Sequence, residues 1–365
     1  MSTSLRRRTD FSLRRGFLDA GIALLAFVLV CAGLNALLPF PDVDVVSAEL
    51  RYFKEHQDDF NTVFIGSSHI HHQISPAIFD RITSEAGHPT RTFNFGINGM
   101  FPPESGYVLE RLLRARPRHL KWVFIELDEL ETRRFPQAEA SRRSLYWHDW
   151  SRTALVLQQI LDAVRPGEAL SFSRKTSEVF TPGPGKSDAR DRFFFHGALF
   201  AKNFTNIGRK MDLAWWSSHL GKQDAAPKGL GRENDGFVPQ TRTMPVEEGI
   251  AYETGLKEAV ANAESRFVSA ATEQAYRQWA AEVRKMGATP IFLVTPRATQ
   301  TKLGFTPESG IAETVMLFND ARAYPQLYRN EMRVDADHLN GVAAGEFTEL
   351  VARKFSQLIQ KKQIQ

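Results

Sequence analysis

Apolar residues follow three patterns along this chain. From Ala20 to Leu38 they run almost unbroken (AGIALLAFVLVCAGLNALL), with Asn35 the one strongly polar member. A helix over this stretch rises about 1.5 Å per residue and reaches roughly 28 Å, near the thickness of a bilayer's hydrocarbon core. The second pattern consists of short β-branched or aromatic runs bounded by Gly, Pro or charge. These are Thr62–Ile65 (TVFI), Arg91–Phe95 (RTFNF), Trp122–Leu127 (WVFIEL) and Pro290–Thr295 (PIFLVT), and each predicts a strand. Helical stretches separate several of them. Ser75-Pro76 reads as an N-cap with proline in the first turn, opening a helix that stops near Gly87. Further helices are expected at Glu104–Arg116, about Lys257–Met286 and about Ala343–Gln360. Strands alternating with helices predict an α/β fold, a parallel sheet with helical layers on both faces. The third pattern, from about Phe135 to Gly249, breaks this rhythm and reads as an insertion at about 135–249, partly helical.

The insertion carries TPGPGKSD, GLGRENDG and the aromatics Trp147, Trp150, Phe193, Phe194, Phe195, Trp215 and Trp216. A small satellite core is the expected fate of those rings, in preference to a carbohydrate platform. The glycines near Lys186 lack the spacing of a phosphate-binding loop.

Charge changes the picture at one end. The chain is basic, with a pI near 9.1. Residues 1–15 hold Arg6, Arg7, Arg8, Arg14 and Arg15 against Asp10, a net +4 that equals the charge of the whole chain. Residues 16–365 therefore balance to zero, which removes the support for a nucleic-acid partner. Arginines ahead of an apolar run remain on the cytoplasmic side. The expected organisation is a cytoplasmic tip over residues 1–15, a transmembrane anchor over 16–38, and a domain over 39–365 outside the cytoplasm. A cleaved signal peptide fits less well. Its apolar region would be shorter, and the nearest small-x-small site, Val46-Ser47-Ala48, lies well beyond this one. Cys31 is the single cysteine, sits inside the run, and carries no information on compartment.

Three short motifs carry chemistry. The first strand runs into Gly66-Ser67-Ser68-His69, placing a serine where a parallel sheet presents residues to its ligand crevice. The second strand runs into Asn94-Phe95-Gly96-Ile97-Asn98-Gly99, whose glycines allow tight turns and close backbone approach to a ligand. Ahead of the last helix stands Asp335-Ala336-Asp337-His338-Leu339-Asn340. An imidazole can accept a serine's proton near neutral pH, and a carboxylate three residues away can orient that imidazole. Asp337 is the alternative orienting group, but its adjacency to His338 makes the bond awkward. Each motif alone is ordinary turn chemistry; their order along an α/β chain gives them weight.

Taken together, the three blocks resemble the SGNH (GDSL-like) hydrolase superfamily over about Asn61–Gln360, with the central region unmatched. Gly66-Ser67-Ser68 corresponds to the first block, the Asn94–Gly99 segment to the oxyanion-glycine block, and Asp335–His338 to the final Asp-x-x-His. The resemblance implies a three-layer, flavodoxin-like α/β/α fold with Ser68, His338 and Asp335 as catalytic residues. Ser68 and Gly99 would supply oxyanion N–H groups, with Gly96 and Asn98 beside them. Two departures stand out. Ser67 replaces the usual Asp, and Glu126-Leu127-Asp128-Glu129-Leu130-Glu131 stands where the family has Gly-x-Asn-Asp. An amide donor would then come from elsewhere, with Asn98 and Asn206 as candidates. Both departures look like the anchored subgroup that assists O-acetylation of cell-surface polysaccharides, whose last block reads Asp-x-x-His-Leu-Asn. That subgroup implies acyl transfer through an acyl-serine, an acyl donor, a polysaccharide acceptor and a multi-spanning acyl-exporting membrane partner. Neither a cofactor nor a metal is implied. An inactive glycan-binding or scaffold protein of the same superfamily is the competing expectation.

Other polar residues receive plainer readings. His69, His71 and His72 are expected at the site's mouth or at a helix start, since metal ligation would need a third partner. Glu126, Asp128, Glu129 and Glu131 are expected to end a strand and face solvent; a glycoside-cleaving carboxylate pair among them has nothing to fix its separation.

Overall fold

The structure, a computed structural model, describes residues 3–37, 43–133, 141–163, 189–205 and 229–364. Its described residues fall into two compact units. One draws on residues 3–37, 141–153 and 189–205, and the other on 43–133, 154–163 and 229–364.

In the larger unit a parallel sheet is built from β1 (Thr62–Gly66), β2 (Thr92–Gly96), β3 (Trp122–Glu126), β5 (Thr289–Val294) and β7 (Val315–Leu317). The order across it is β2-β1-β3-β5-β7. Nearly every position of the first four is buried, as a sheet covered on both faces requires. On one side lie α3 (Ser68–Gln73), α4 (Pro76–Glu85) and α11 (Gly341–Gln360), packed over Phe64, Phe124, Ile291 and Met316. The Phe64 and Phe124 rings are register neighbours and stack 4.1 Å apart, with Phe79 and Phe355 edge-on to Phe124. Towards the other side pack α5 (Glu104–Arg114), α10 (Ala270–Lys285) and α2 (Asp44–His56). Tyr276 of α10 meets Phe292 of β5 there, and Trp279 fills the space left by Gly106 of α5.

The four strands expected from the sequence are present with ends shifted by a residue or so. The three residues of β7 are too short to leave a periodic signal, and α2 lies in a stretch assigned to no element. The long helix expected over 257–286 is two helices. α9 (Val246–Ala261) ends at Asn262, and β4 (Ser265–Phe267) pairs with β6 (Lys302–Gly304) before α10 begins. Ser269 caps α10 by accepting from the Thr272 amide, a local stop-and-start signal that the surrounding helix formers masked. Ser75 does stand ahead of α4, but its side chain makes no capping bond; its amide donates to Thr348 of α11.

In the smaller unit, α1 (Thr3–Leu37) contains a stretch, Arg15–Leu37, with mean hydropathy 2.4 and almost wholly exposed side chains. This one helix is long and apolar enough to cross a membrane. Asn35, its polar exception, donates to the Cys31 carbonyl one turn back and to the Phe204 carbonyl of α8 (Ala189–Thr205). α6 (Arg142–Tyr146) also packs on α8, where Leu145, Phe195 and Leu199 form a small apolar cluster. Phe195 is thus buried as expected, whereas Trp150 and Phe194 are exposed. Trp215 and Trp216 lie outside the described residues. α7 (Trp150–Asp162) follows α6 in the chain.

Phe64 is fully buried in the central aromatic stack. Phe64→Ala is expected to destabilise the larger unit by about 3–5 kcal/mol, read as a lower urea midpoint by circular dichroism.

Candidate active site

β1 lies between β2 and β3, so the chain leaves β1 towards one side of the sheet and later returns on the other. Such a reversal opens a crevice beyond the carboxyl ends of the strands. β1 ends there at Gly66, β2 at Gly96 and β3 at Glu126.

Gly66 has no room for a side chain. An added Cβ would sit 2.4 Å from Ile70 Cγ1 and 2.5 Å from Glu126 Oε2. Ser67 follows in extended conformation and caps α3, its Oγ accepting from the His69 amide. Ser68, the first residue of α3, is partly exposed at the sheet rim. Its Oγ lies 2.7 Å from His338 Nε2, and both Asp335 carboxylate oxygens lie 2.9 Å from His338 Nδ1. Serine, imidazole and carboxylate therefore form one hydrogen-bonded chain.

Backbone contacts fix the acidic end of this chain. Asp335 Oδ1 also accepts the amides of Asp337 and His338, each at 2.8 Å. Partial burial would raise this carboxyl, but the His338 ring and those two amides outweigh it and hold it well below the usual carboxylate range. An ionised Asp335 only accepts, so Nδ1 of His338 carries the proton and Nε2 faces Ser68 with its lone pair. Asp337 makes no such contact; its carbonyl receives a long bond from Gln73.

Arg333 pins the loop from below. This fully buried guanidinium donates to the carbonyls of Leu327, Asp335 and Ala336, with the Tyr252 and Tyr328 rings 5.3 and 5.4 Å from its centre. Asn340 then caps α11 by accepting from the Val342 and Ala343 amides.

The glycines of the second motif do different things. Gly96 gives its N–H to Asn94 Oδ1 at 2.9 Å, and a Cβ there would meet the His71 backbone at 2.1 Å. Its bareness lets α3 lie against β2. Gly99 is exposed, has φ of +68° and has open space around its Cα. Among the described residues no acceptor takes the N–H of Ser68 or Gly99. Asn98 is exposed and its side chain bonds to His72. Asn206 lies outside the described residues.

The acidic run after β3 corrects the expectation that it faces solvent. Glu126 is 4% exposed, in the middle of the sheet. Its Oε2 accepts the Ser67 amide at 2.6 Å; its Oε1 meets His69 Nδ1 at 3.0 Å and an Arg297 nitrogen at 2.6 Å. Burial alone would raise this carboxyl, yet His69, Arg297 and the Ser67 amide hold it far below its ordinary value. Arg297 also bonds Asp128 at 2.7 Å. Glu129 is partly buried and binds Thr272, Arg266 and the Ser269 amide at the start of α10. Glu131 is partly buried too and pairs with Arg133, so none of the four faces open solvent. The sequence signal for Glu126 was its place as the last residue of an otherwise apolar strand, where no side chain reaches open water.

The three histidines are all buried as well. His69 binds Glu126, and His72 Nδ1 faces the Val238 carbonyl at 2.5 Å. His71 is enclosed, and burial, with His72 adding, pushes it down to about 4. No group of three or more metal-ligating side chains is present among the described residues.

No protein-family model matches the sequence, and no curated protein matches it. The geometry stands alone. A serine hydroxyl bonded to an imidazole lone pair, with an ionised carboxylate behind it, can deliver an activated oxygen to an electrophilic carbon.

Acid should unfold this site in a defined order. His71 is neutral when folded but takes a proton near pH 6.5 when unfolded, so stability falls as pH drops from about 6.5 towards 4. Glu126 and Asp335 add a loss below about pH 4, where the unfolded chain takes up protons that the folded carboxylates refuse. Thermal melts between pH 7 and 3 are expected to show both declines, and His71→Gln should lessen the first, to which buried His69, His72 and His148 also contribute.

Proposed function

We propose that this chain is a membrane-anchored acyl-transfer enzyme of the SGNH type, working through an acyl-serine intermediate on Ser68. The observation that carries the proposal is the 2.7 Å contact from Ser68 Oγ to His338 Nε2 at the sheet's crevice, continued to Asp335. Support also comes from the matching order of the three sequence blocks.

In this reading His338 takes the Ser68 proton as Oγ attacks the acyl carbonyl, and Asp335 stabilises the imidazolium that forms. The oxyanion is received by the unengaged amides of Ser68 and Gly99. His338 then protonates the leaving group. A second hydroxyl, deprotonated by the same imidazole, attacks the acyl-serine and regenerates the enzyme. That hydroxyl belongs to water in an O-acetylesterase and to a sugar in an O-acetyltransferase. The close match of Asp335–Asn340 to the polysaccharide-acetylating subgroup favours a glycan acceptor and an acyl-exporting membrane partner. The arginines before the apolar stretch of α1 favour a domain outside the cytoplasm, anchored in the cytoplasmic membrane.

A serine-directed fluorophosphonate probe tests the assignment on the full chain in detergent. Wild-type protein is expected to label, Ser68→Ala not at all, and His338→Ala at least about 10³-fold more slowly. An unlabelled wild type would instead favour an inactive glycan-binding scaffold, and labelling that survives Ser68→Ala would move the nucleophile elsewhere.

A further inference from the structure

The chemistry above leaves His69 without a part. It is 7% exposed, and its ring lies nearly parallel to that of His338, 18° apart with centroids 5.0 Å from each other. Its Nδ1 lies 3.0 Å from Glu126 Oε1 and 2.9 Å from Ser67 Oγ. An ionised Glu126 can only accept, which puts the His69 proton on Nδ1 and leaves a bare lone pair on Nε2. That Nε2 is buried with no hydrogen-bond partner among the described residues. A buried acceptor left unmade costs stability. Here the cost leaves an uncharged, electron-rich ring against the imidazole that must become cationic.

We propose that His69 is a positioning residue for His338: a second imidazole, pinned by Glu126, whose face orients the His338 ring and favours its imidazolium form during proton transfer. The inference rests on the reading of Ser68 as the nucleophile.

The groups around His69 explain why a carboxylate can pin it without charging it. Glu126 alone would draw a second proton onto the ring, and that cation would oppose a cationic His338. Arg297, arriving after β5 and held also by Asp128, opposes this; burial opposes it most. His338 itself, from the loop before α11, disfavours a charged His69, and His72 on α3 lies close enough to feel the ring. Ser67 Oγ and Thr295 Oγ1 are the neutral polar neighbours, the latter 3.3 Å from Glu126.

The test compares second-order fluorophosphonate labelling rates of the full chain in detergent across pH 5–9. His69→Gln keeps a donor for Glu126 but removes the ring, and is expected to slow labelling about tenfold. His69→Phe restores the face and should recover most of the rate. Arg297→Met should move the acidic limb of the profile to higher pH, and adding His69→Phe should abolish that movement. Labelling of His69→Gln at the wild-type rate overturns the inference. So does His69→Phe as slow as His69→Gln, or a limb shift that survives in the double variant. If Arg297→Met does not fold, the Gln and Phe pair decides alone. If the wild type does not label, the reading of Ser68 fails, and ring NMR of histidine-labelled protein still scores His69. The His338 titration should then shift in His69→Gln and stay near wild type in His69→Phe; an unmoved His338 in His69→Gln overturns the inference.

Discussion

The burial of one carboxylate organises this crevice. An ion such as Glu126 loses several kcal/mol on leaving water, and only close opposite charge and multiple hydrogen bonds can offset that. The structure supplies them from three places: the Ser67 amide after β1, His69 on α3, and Arg297 after β5. Each partner is thereby fixed relative to β3. The Ser67 amide is one residue from Ser68, so the bond that satisfies Glu126 also sets where the hydroxyl stands.

The other half of the site is held by a different device. Arg333 gathers the carbonyls of the Asp335 loop around a buried cation, and that loop presents His338. Two guanidinium groups, partly buried Arg297 bonded to carboxylates and fully buried Arg333 bonded to carbonyls, thus hold the two halves of one hydrogen-bonded chain. The bare faces of Gly66 and Gly96 let α3 lie close against the strand ends, keeping the serine at the rim.

What the sequence made legible follows from the range of the forces involved. TVFI, RTFNF, WVFIEL and PIFLVT declare themselves because a strand covered on both faces must be apolar along its length. Ser68, Asp335 and His338 could be picked out because each sits in a turn with compact local chemistry. Glu126 and Arg297 could not, since their meaning lies in partners from other strands, and an acidic run after a strand looks like surface. The break between α9 and α10 was hidden for the opposite reason. Helix-forming residues dominate both flanks, and the short pairing of β4 with β6 is a tertiary choice.

The hydrogen bond between Ser68 and His338 joins residues 270 positions apart. Closing so long a loop by itself is entropically unfavourable. β3, β5 and β7, which lie between the two residues in the chain, carry the two ends to one edge of the sheet. No N-terminal fragment that stops short of residue 338 contains this bond. The hydroxyl at the end of β1 therefore remains an ordinary serine until His338 has been made and folded against it.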